Sequence, residues 1–214
     1  MEPFRQHTGL IAVLPRANVD TDQIIPKQFL KSIRRTGFSP ALFFDWRYLP
    51  DGSPNPEFEL NQPRFAGASI LVTGNNFGCG SSREHAVWAL QQYGFKVLIA
   101  PWMSTPSGRV AGFADIFRSN AIRNGLLLIE LSEPEVRRIQ DAVSAHEGLR
   151  ATVDLETQKI VLHIDPPQVI PFECDPQVRQ TLLEGLDEIR QTLQWEAEIT
   201  AFEQRHDVQL PAQR

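Results

Sequence analysis

The segment that most limits what this chain can become is a glycine-rich turn between a strand-like run and a helix-like run. Ser69-Ile70-Leu71-Val72-Thr73 is short, apolar and β-branched, and Gly74-Asn75-Asn76-Phe77-Gly78-Cys79-Gly80 follows it. From Ser81 to about Gln92 the spacing turns helical, with Ala86, Ala89, Leu90 and Tyr93 on one face. Gly94 stops that helix, and Val97-Leu98-Ile99-Ala100 is the next strand. Strand, helix and strand in this order call for a parallel pair joined by a right-handed crossover. The glycines of the turn allow positive φ and close approach of a ligand. Ser81 and Glu84 fit an S-x-x-E capping box, which places Ser81 at the helix N-cap. A helix start offers free N–H groups and the positive end of a dipole, and Arg83 adds a guanidinium able to grip a carboxylate with two donors. The chemistry this predicts is a small anion held beside a hydroxyl.

The rest of the chain continues the alternation. Phe113 to Phe117 reads as a short helix, Asn124-Gly125 as a turn and Leu126 to Ile129 as a third strand. Glu133 to Ala145 is an amphipathic helix entered through Ser132 as N-cap with Pro134 in its first turn. Thr152–Leu155 and Ile160–Ile164 alternate as a hairpin. From about Gln177 Leu182, Leu186, Ile189 and Leu193 keep helical spacing, and the tail after Asp207 is expected to fray. Two proline-rich stretches, Leu49 to Arg64 and Asp165 to Pro176, read as extended surface connections. The 214 residues suffice for one large mixed α/β domain with a helical C-terminal extension. A net charge of −5 with no block of Lys or Arg argues against nucleic acid or an anionic membrane as partner. No apolar run reaches membrane-spanning length and the start lacks a signal-peptide pattern, so a cytoplasmic location is expected.

Other readings of the turn fail on particular residues. A P-loop needs Lys and then Ser or Thr after its last glycine, where Gly80 is followed by Ser81-Ser82-Arg83. A dinucleotide fingerprint and a nucleophile elbow each need a glycine where Arg83 stands. Cys79 has no histidine assigned to it as a base. Cys79 and Cys174 are too few for an all-cysteine zinc or iron–sulfur site, and the five histidines are scattered, so no metal site is expected on this chain.

Asn76-Phe77-Gly78-Cys79-Gly80-Ser81-Ser82-Arg83-Glu84-His85-Ala86 resembles the signature of the small-subunit family of 3-isopropylmalate dehydratases, split relatives of aconitase. The resemblance extends to Asn18-Val19-Asp20-Thr21-Asp22-Gln23-Ile24-Ile25-Pro26-Lys27-Gln28-Phe29 and to Arg35-Thr36-Gly37-Phe38. Downstream it takes in Tyr93-Gly94-Phe95-Lys96-Val97, Ala114-Asp115-Ile116-Phe117 and Gly185-Leu186-Asp187-Glu188-Ile189, and so covers most of residues 4–205 in order. It implies the aconitase-type swivelling β/β/α domain over 1–170, with 171–214 as an extension packing on it or on a partner. It also implies that a [4Fe–4S] cluster sits on a separate large subunit, in a heterodimer or a pair of them, with no cofactor on this chain.

The same resemblance implies the roles of particular residues. Ser81, the first serine after the Gly-x-Gly turn, would be the catalytic base, an assignment that requires N–H groups, the helix dipole and Arg83 to stabilise an alkoxide. Arg83 and Arg35 would clamp the substrate carboxylates and Ser82 would add a hydrogen bond. Asp22 would be a second catalytic residue, a superfamily acid near the active site that orients a group of the large subunit. Of the adjacent Arg34 and Arg35, the Arg-Thr-Gly match favours Arg35. His85 and Cys79 are read as packing and loop residues. The reaction implied is interconversion of 2-isopropylmalate and 3-isopropylmalate through 2-isopropylmaleate, in leucine biosynthesis, with the partner's open iron as Lewis acid.

Two features depart from the family pattern. Trp102 to Gly112 intervenes between the Ile99-Ala100-Pro101 strand end and the Ala114-Asp115-Ile116-Phe117 helix, and reads as a surface loop. Glu184 stands where asparagine is common. A related hydro-lyase acting on homoaconitate, citraconate or a methylmalate is the alternative, since one methylene shifts such preferences by only about 1–3 kcal/mol. A non-catalytic RNA-binding domain is disfavoured by the charge and by the retained Ser81 and Arg83.

Overall fold

The first strand, β1 (Gln6–Leu14), joins two kinds of sheet. Its N-terminal half, Gln6 to Leu10, pairs antiparallel with β6 (Arg150–Asp154), which continues to β7 (Lys159–Leu162) and β8 (Gln168–Pro171). Its C-terminal half, Ile11 to Leu14, pairs parallel with β2 (Ile70–Thr73). β2 pairs parallel with β3 (Val97–Thr105), and β3 with β5 (Leu127–Ser132), while the far end of β3 turns back on β4 (Gly108–Val110). The computed structural model describes residues 1–31, 35–106, 108–186 and 188–206. The helices are α1 (Thr21–Ile24), α2 (Phe44–Arg47), α3 (Glu84–Tyr93), α4 (Asp115–Asn124), α5 (Glu133–Ala145), α6 (Pro176–Glu184), α7 (Glu188–Leu193) and α8 (Glu196–Glu203).

The parallel strands are apolar throughout because both faces are covered. Every residue of β2 is buried, as are Val97 to Pro101 of β3. α5 packs across β1, β2 and β3, and α3 packs on α4, which packs on β5. α5 spans the expected residues: Ser132 caps it, and Glu135 accepts from the Ser132 N–H at 2.9 Å. α4 runs on to Asn124, well beyond the short helix expected at Phe113–Phe117, and ends on Gly125 in the left-handed conformation. The proline-rich Asp165–Pro176 stretch contains the edge strand β8, with Pro171 as its last residue.

One expectation is corrected here, and one is given detail. The segment from Trp102 to Gly112 is not a plain surface loop: it extends β3 to Thr105 and returns as β4, with the Arg109 guanidinium 4.6 Å from the Trp102 ring centroid. The C-terminal segment is helical from Pro176, but of its spaced apolar residues Leu182 is buried while Ile189 and Leu193 face solvent with Trp195, Ile199 and Phe202. The tail after Asp207, Arg34 and Asp187 lie outside the described residues.

A histidine in the first half of β1, bonded to the residue just before β2, gives the fold a pH dependence. His7 Nε2 lies 2.7 Å from Ser69 Oγ, and burial, then Lys96 and Arg150, push its pKa below the ordinary 6.5. The unfolded chain therefore takes up a proton at pH values where the folded ring stays neutral, so stability falls as pH drops below about 6.5. Urea midpoints at pH 7.5 and 5.5 should differ more for the wild type than for His7→Gln, and equal differences would remove His7 from this account.

Candidate active site

The glycine-rich turn is strapped to the chain segment that follows β1. Gly74 N–H donates to the Arg16 carbonyl (3.2 Å), Asn18 N–H to Asn75 (2.9 Å), Gly78 N–H to Val19 (2.7 Å) and Thr21 N–H to Cys79 (2.9 Å). Asn18 and Asn76 both take left-handed φ, near 55°, and join through Asn76 Nδ2 to Asn18 Oδ1 at 2.8 Å. A Cβ on Gly74 would stand 2.5 Å from the Arg16 carbonyl oxygen, so only glycine fits there. On the other side Phe77 N–H donates to Gly112 (2.9 Å) and Phe77 accepts from Ala114 (3.0 Å). The Phe77 ring is fully buried and meets Phe117 edge-on at 5.4 Å. Gly78, at φ +77°, lies where a Cβ would be 2.2 Å from Phe117 Cγ. Glu130 Oε1 fixes this second strap by accepting from Gly112 (2.8 Å) and Phe113 (3.2 Å).

These straps decide where the helix begins. α3 starts at Glu84, with Arg83 as N-cap, two residues later than the capping box suggested. The carbonyl that a helix capped by Ser81 would offer to His85 is taken by the buried Thr21 hydroxyl, at 2.7 Å. The Glu84 carboxylate is engaged elsewhere, accepting from Asn124 Nδ2 at 2.9 Å. A capping box does form next door: Asp20 Oδ1 accepts from Gln23 N–H at 2.8 Å, and Gln23 Oε1 from Asp20 N–H at 2.9 Å. It shapes α1, whose first turn carries Asp22.

Ser81 and Ser82 stand exposed at the tip, just ahead of α3. Arg83 turns inward, its side chain only 9% exposed, and donates to Asp22 Oδ1. Lys27 Nζ lies 3.8 Å from Asp22 Oδ2. Asp22 keeps nearly half of its side chain in water, so the pair adds on the order of 1 kcal/mol at most. What it fixes is the direction of the guanidinium, one residue after Ser82. Arg35 lies farther along, its guanidinium 5.6 Å from the Trp88 ring centroid. The His85 ring packs between Phe38 (5.2 Å) and Trp88 (4.7 Å), the packing role expected of it. Burial, then the charge of Asp20, push the Cys79 thiol up, the reverse of an activated nucleophile.

Asp22, Ser81, Ser82 and Arg83 thus come together at one end of α3, with Arg35 beside the same helix. Sequence reasoning missed Thr21, Phe77, Gly112 and Glu130, which hold the turn without touching its exposed edge. Thr21 had a signal, a small hydroxyl between Asp20 and Asp22; the others depend on contacts remote in sequence. Among the described residues no three His, Cys, Asp or Glu side chains gather as metal ligands. Cys79 sits in the turn and Cys174 between β8 and α6, so these residues do not fit an iron–sulfur cluster.

The Asp22–Arg83 hydrogen bond holds the Asp22 carboxyl below its ordinary pKa of 3.8, outweighing the opposing effect of burial. Its contribution to stability is therefore present above about pH 3.8 and is lost as pH falls through the folded midpoint. NMR titration of the Asp22 carboxyl should give a midpoint below 3.8 that returns toward it in Arg83→Gln. An unchanged midpoint in the variant would contradict the pairing.

Comparison with known proteins gives a consistent set of likenesses. Residues 1–134 match the aconitase C-terminal domain family, and residues 188–211 match the family of C-terminal domains of the 3-isopropylmalate dehydratase small subunit. The chain is 58% identical over 205 residues to a 3-isopropylmalate dehydratase small subunit of Desulforapulum autotrophicum, covering 96% of each chain. It is 51% identical over 212 residues to that of Bacillus subtilis, covering 99% of this chain and 100% of the relative. Among solved structures it is similar to a 3-isopropylmalate dehydratase of Methanocaldococcus jannaschii, with 25% identity and a TM-score of 0.60 over 92% of this chain and 99% of the other.

Proposed function

The chain belongs to the family of 3-isopropylmalate dehydratase small subunits, and from that premise we propose how its own residues serve the reaction. The enzyme is a hydro-lyase of the aconitase type in which this chain works with a large subunit. It interconverts 2-isopropylmalate and 3-isopropylmalate through 2-isopropylmaleate, in leucine biosynthesis. The observation that carries the residue assignment is the exposed Ser81 beside a guanidinium whose direction is fixed from behind by Asp22.

Ser81 takes the proton from the carbon next to the one that bears the hydroxyl as that hydroxyl leaves, giving the alkene; re-addition in the opposite sense puts the proton on the carbon that lost the hydroxyl and the hydroxyl on the carbon that lost the proton. Its alkoxide is tolerable only where positive charge and backbone N–H groups surround it, which the Arg83 guanidinium and the start of α3 supply. Arg83, drawn inward against Asp22, keeps donors for a substrate carboxylate that enters beside the serines, with Ser82 donating alongside and Arg35 reaching a second carboxylate from the flank of α3. Asp22 acts through Arg83, holding it aimed, and Lys27 shares the carboxylate.

A [4Fe–4S] cluster belongs to the large subunit on this reading, where it supplies Lewis acidity toward the substrate hydroxyl. The exposure of Ser81 and Ser82 supports a site completed by that subunit, which closes over the substrate and excludes water from the alkene. Residues 1–170 form the swivelling domain and 171–214 the extension. The uncovered Ile189, Leu193, Trp195, Ile199 and Phe202 support a partner contact there. Among the described residues no helix is long and apolar enough to cross a membrane, in keeping with a cytoplasmic enzyme.

Alkene formation from 3-isopropylmalate, followed anaerobically by absorbance, tests the reading. Activity is expected only when this chain and its cluster-bearing large subunit are mixed. Turnover by this chain alone would overturn it, and a silent but assembled complex with an intact cluster would transfer the assignment to another diacid.

A further inference from the structure

One side chain holds the turn that carries Arg35. Gln92 lies half-buried near the end of α3. Its Oε1 accepts from the Phe38 N–H at 2.8 Å, and its Nε2 donates to the Arg35 carbonyl at 2.8 Å. The two backbone groups require an acceptor and a donor from the same side chain, and the Gln92 amide supplies both. Gly37, at φ +92°, lets the chain fold between them. Phe38 is only 3% exposed and sits against His85 and Trp88, and the Arg35 guanidinium lies over the Trp88 ring of that stack. The turn is therefore seated on α3 by rings at its middle and by Gln92 at its end. The same helix carries Ser81 to Arg83 ahead of its first turn, and Gln92 lies about 12 Å along the axis from Glu84 at 1.5 Å per residue. A rigid helix thus fixes the spacing between the proton-abstracting end and the turn with the second arginine.

We propose that Gln92 is a positioning residue for substrate recognition: by pinning the Arg35 carbonyl and the Phe38 N–H to α3, it sets where Arg35 stands relative to Ser81 and Arg83. The proposal rests on the reading of Arg35 as a carboxylate contact. It assigns to Gln92 substrate affinity and the choice between diacids, and leaves the proton transfer to Ser81.

Three variants separate these possibilities in the assembled enzyme. Gln92→Met keeps the length and loses both hydrogen bonds, whereas Gln92→Glu keeps the acceptor for Phe38 and sets a carboxylate against the Arg35 carbonyl. Gln91→Ala breaks a comparable bond on the same helix, from Gln91 Nε2 to the Asn124 carbonyl at 2.7 Å, away from the turn. KM for 3-isopropylmalate should rise about tenfold in Gln92→Met with kcat within about twofold, rise less in Gln92→Glu, and stay unchanged in Gln91→Ala. The ratio of kcat/KM for 3-isopropylmalate to that for citraconate should fall in the same order. Hydrogen exchange at the Phe38 amide should accelerate in Gln92→Met and stay slow in Gln92→Glu, a readout that needs no turnover. An unchanged KM in Gln92→Met, a fall in kcat alone, or an unchanged Phe38 amide would overturn the proposal. Arg35→Ala tells its failure from that of the underlying reading. If Arg35→Ala raises KM and Gln92→Met does not, only the role of Gln92 fails; if neither raises it, Arg35 is no substrate contact and both fail.

Discussion

The hydrogen bonds that tie residues 16–21 to the glycine-rich turn are the constraint on which the rest of the site depends. They consume the turn's backbone groups on its inner side, from Gly74 to Ser81. Buried backbone groups must be paired, and here a second piece of backbone and one threonine hydroxyl do the pairing. α3 consequently cannot start until Glu84, and Ser81 and Ser82 project ahead of it in place of entering its first turn. Asp22 faces Arg83 because the capping box at Asp20 places it in the first turn of α1, on the segment already strapped to the turn. The chemistry at the tip is thus a product of tertiary pairing, and Phe77 anchors the whole turn into the core from below.

The same arrangement explains the division of labour with a larger partner. The inner side of the turn is tied by hydrogen bonds, and its outer side carries the exposed Ser81 and Ser82, with the Arg83 side chain drawn inward against Asp22. Both serines are exposed there, which suits the proposed site shared with the large subunit. The β3–β4 hairpin also serves the turn. Its returning end, Ala111 to Phe113, supplies the second strap, held by Glu130.

The parallel crossover was legible because β2 and β3 are buried on both faces and read as continuous apolar runs, and α5 because its cap, proline and apolar stripe agree. β1 was not, since it changes partners halfway. Its first half faces water on one side and its second half is nearly enclosed, so no single period runs through it. The position of Arg83 was foreseeable from the motif, but its burial against Asp22 was not. The false capping box at Ser81 shows the limit of local rules, for Thr21 and Asn124 outcompete it from outside the helix. The extension β3–β4 escaped for a similar reason, its pairing being set by a turn at Pro106 and not by an apolar pattern.

The central claim is that Ser81 moves the proton. The most direct measurement is exchange of the carbon-bound hydrogen of 3-isopropylmalate with D2O, followed by NMR, in the assembled enzyme carrying Ser81→Ala. The variant should assemble and bind substrate with near-normal affinity while both exchange and alkene formation disappear. Exchange continuing at a rate near that of the wild type would contradict it, and would place the base elsewhere.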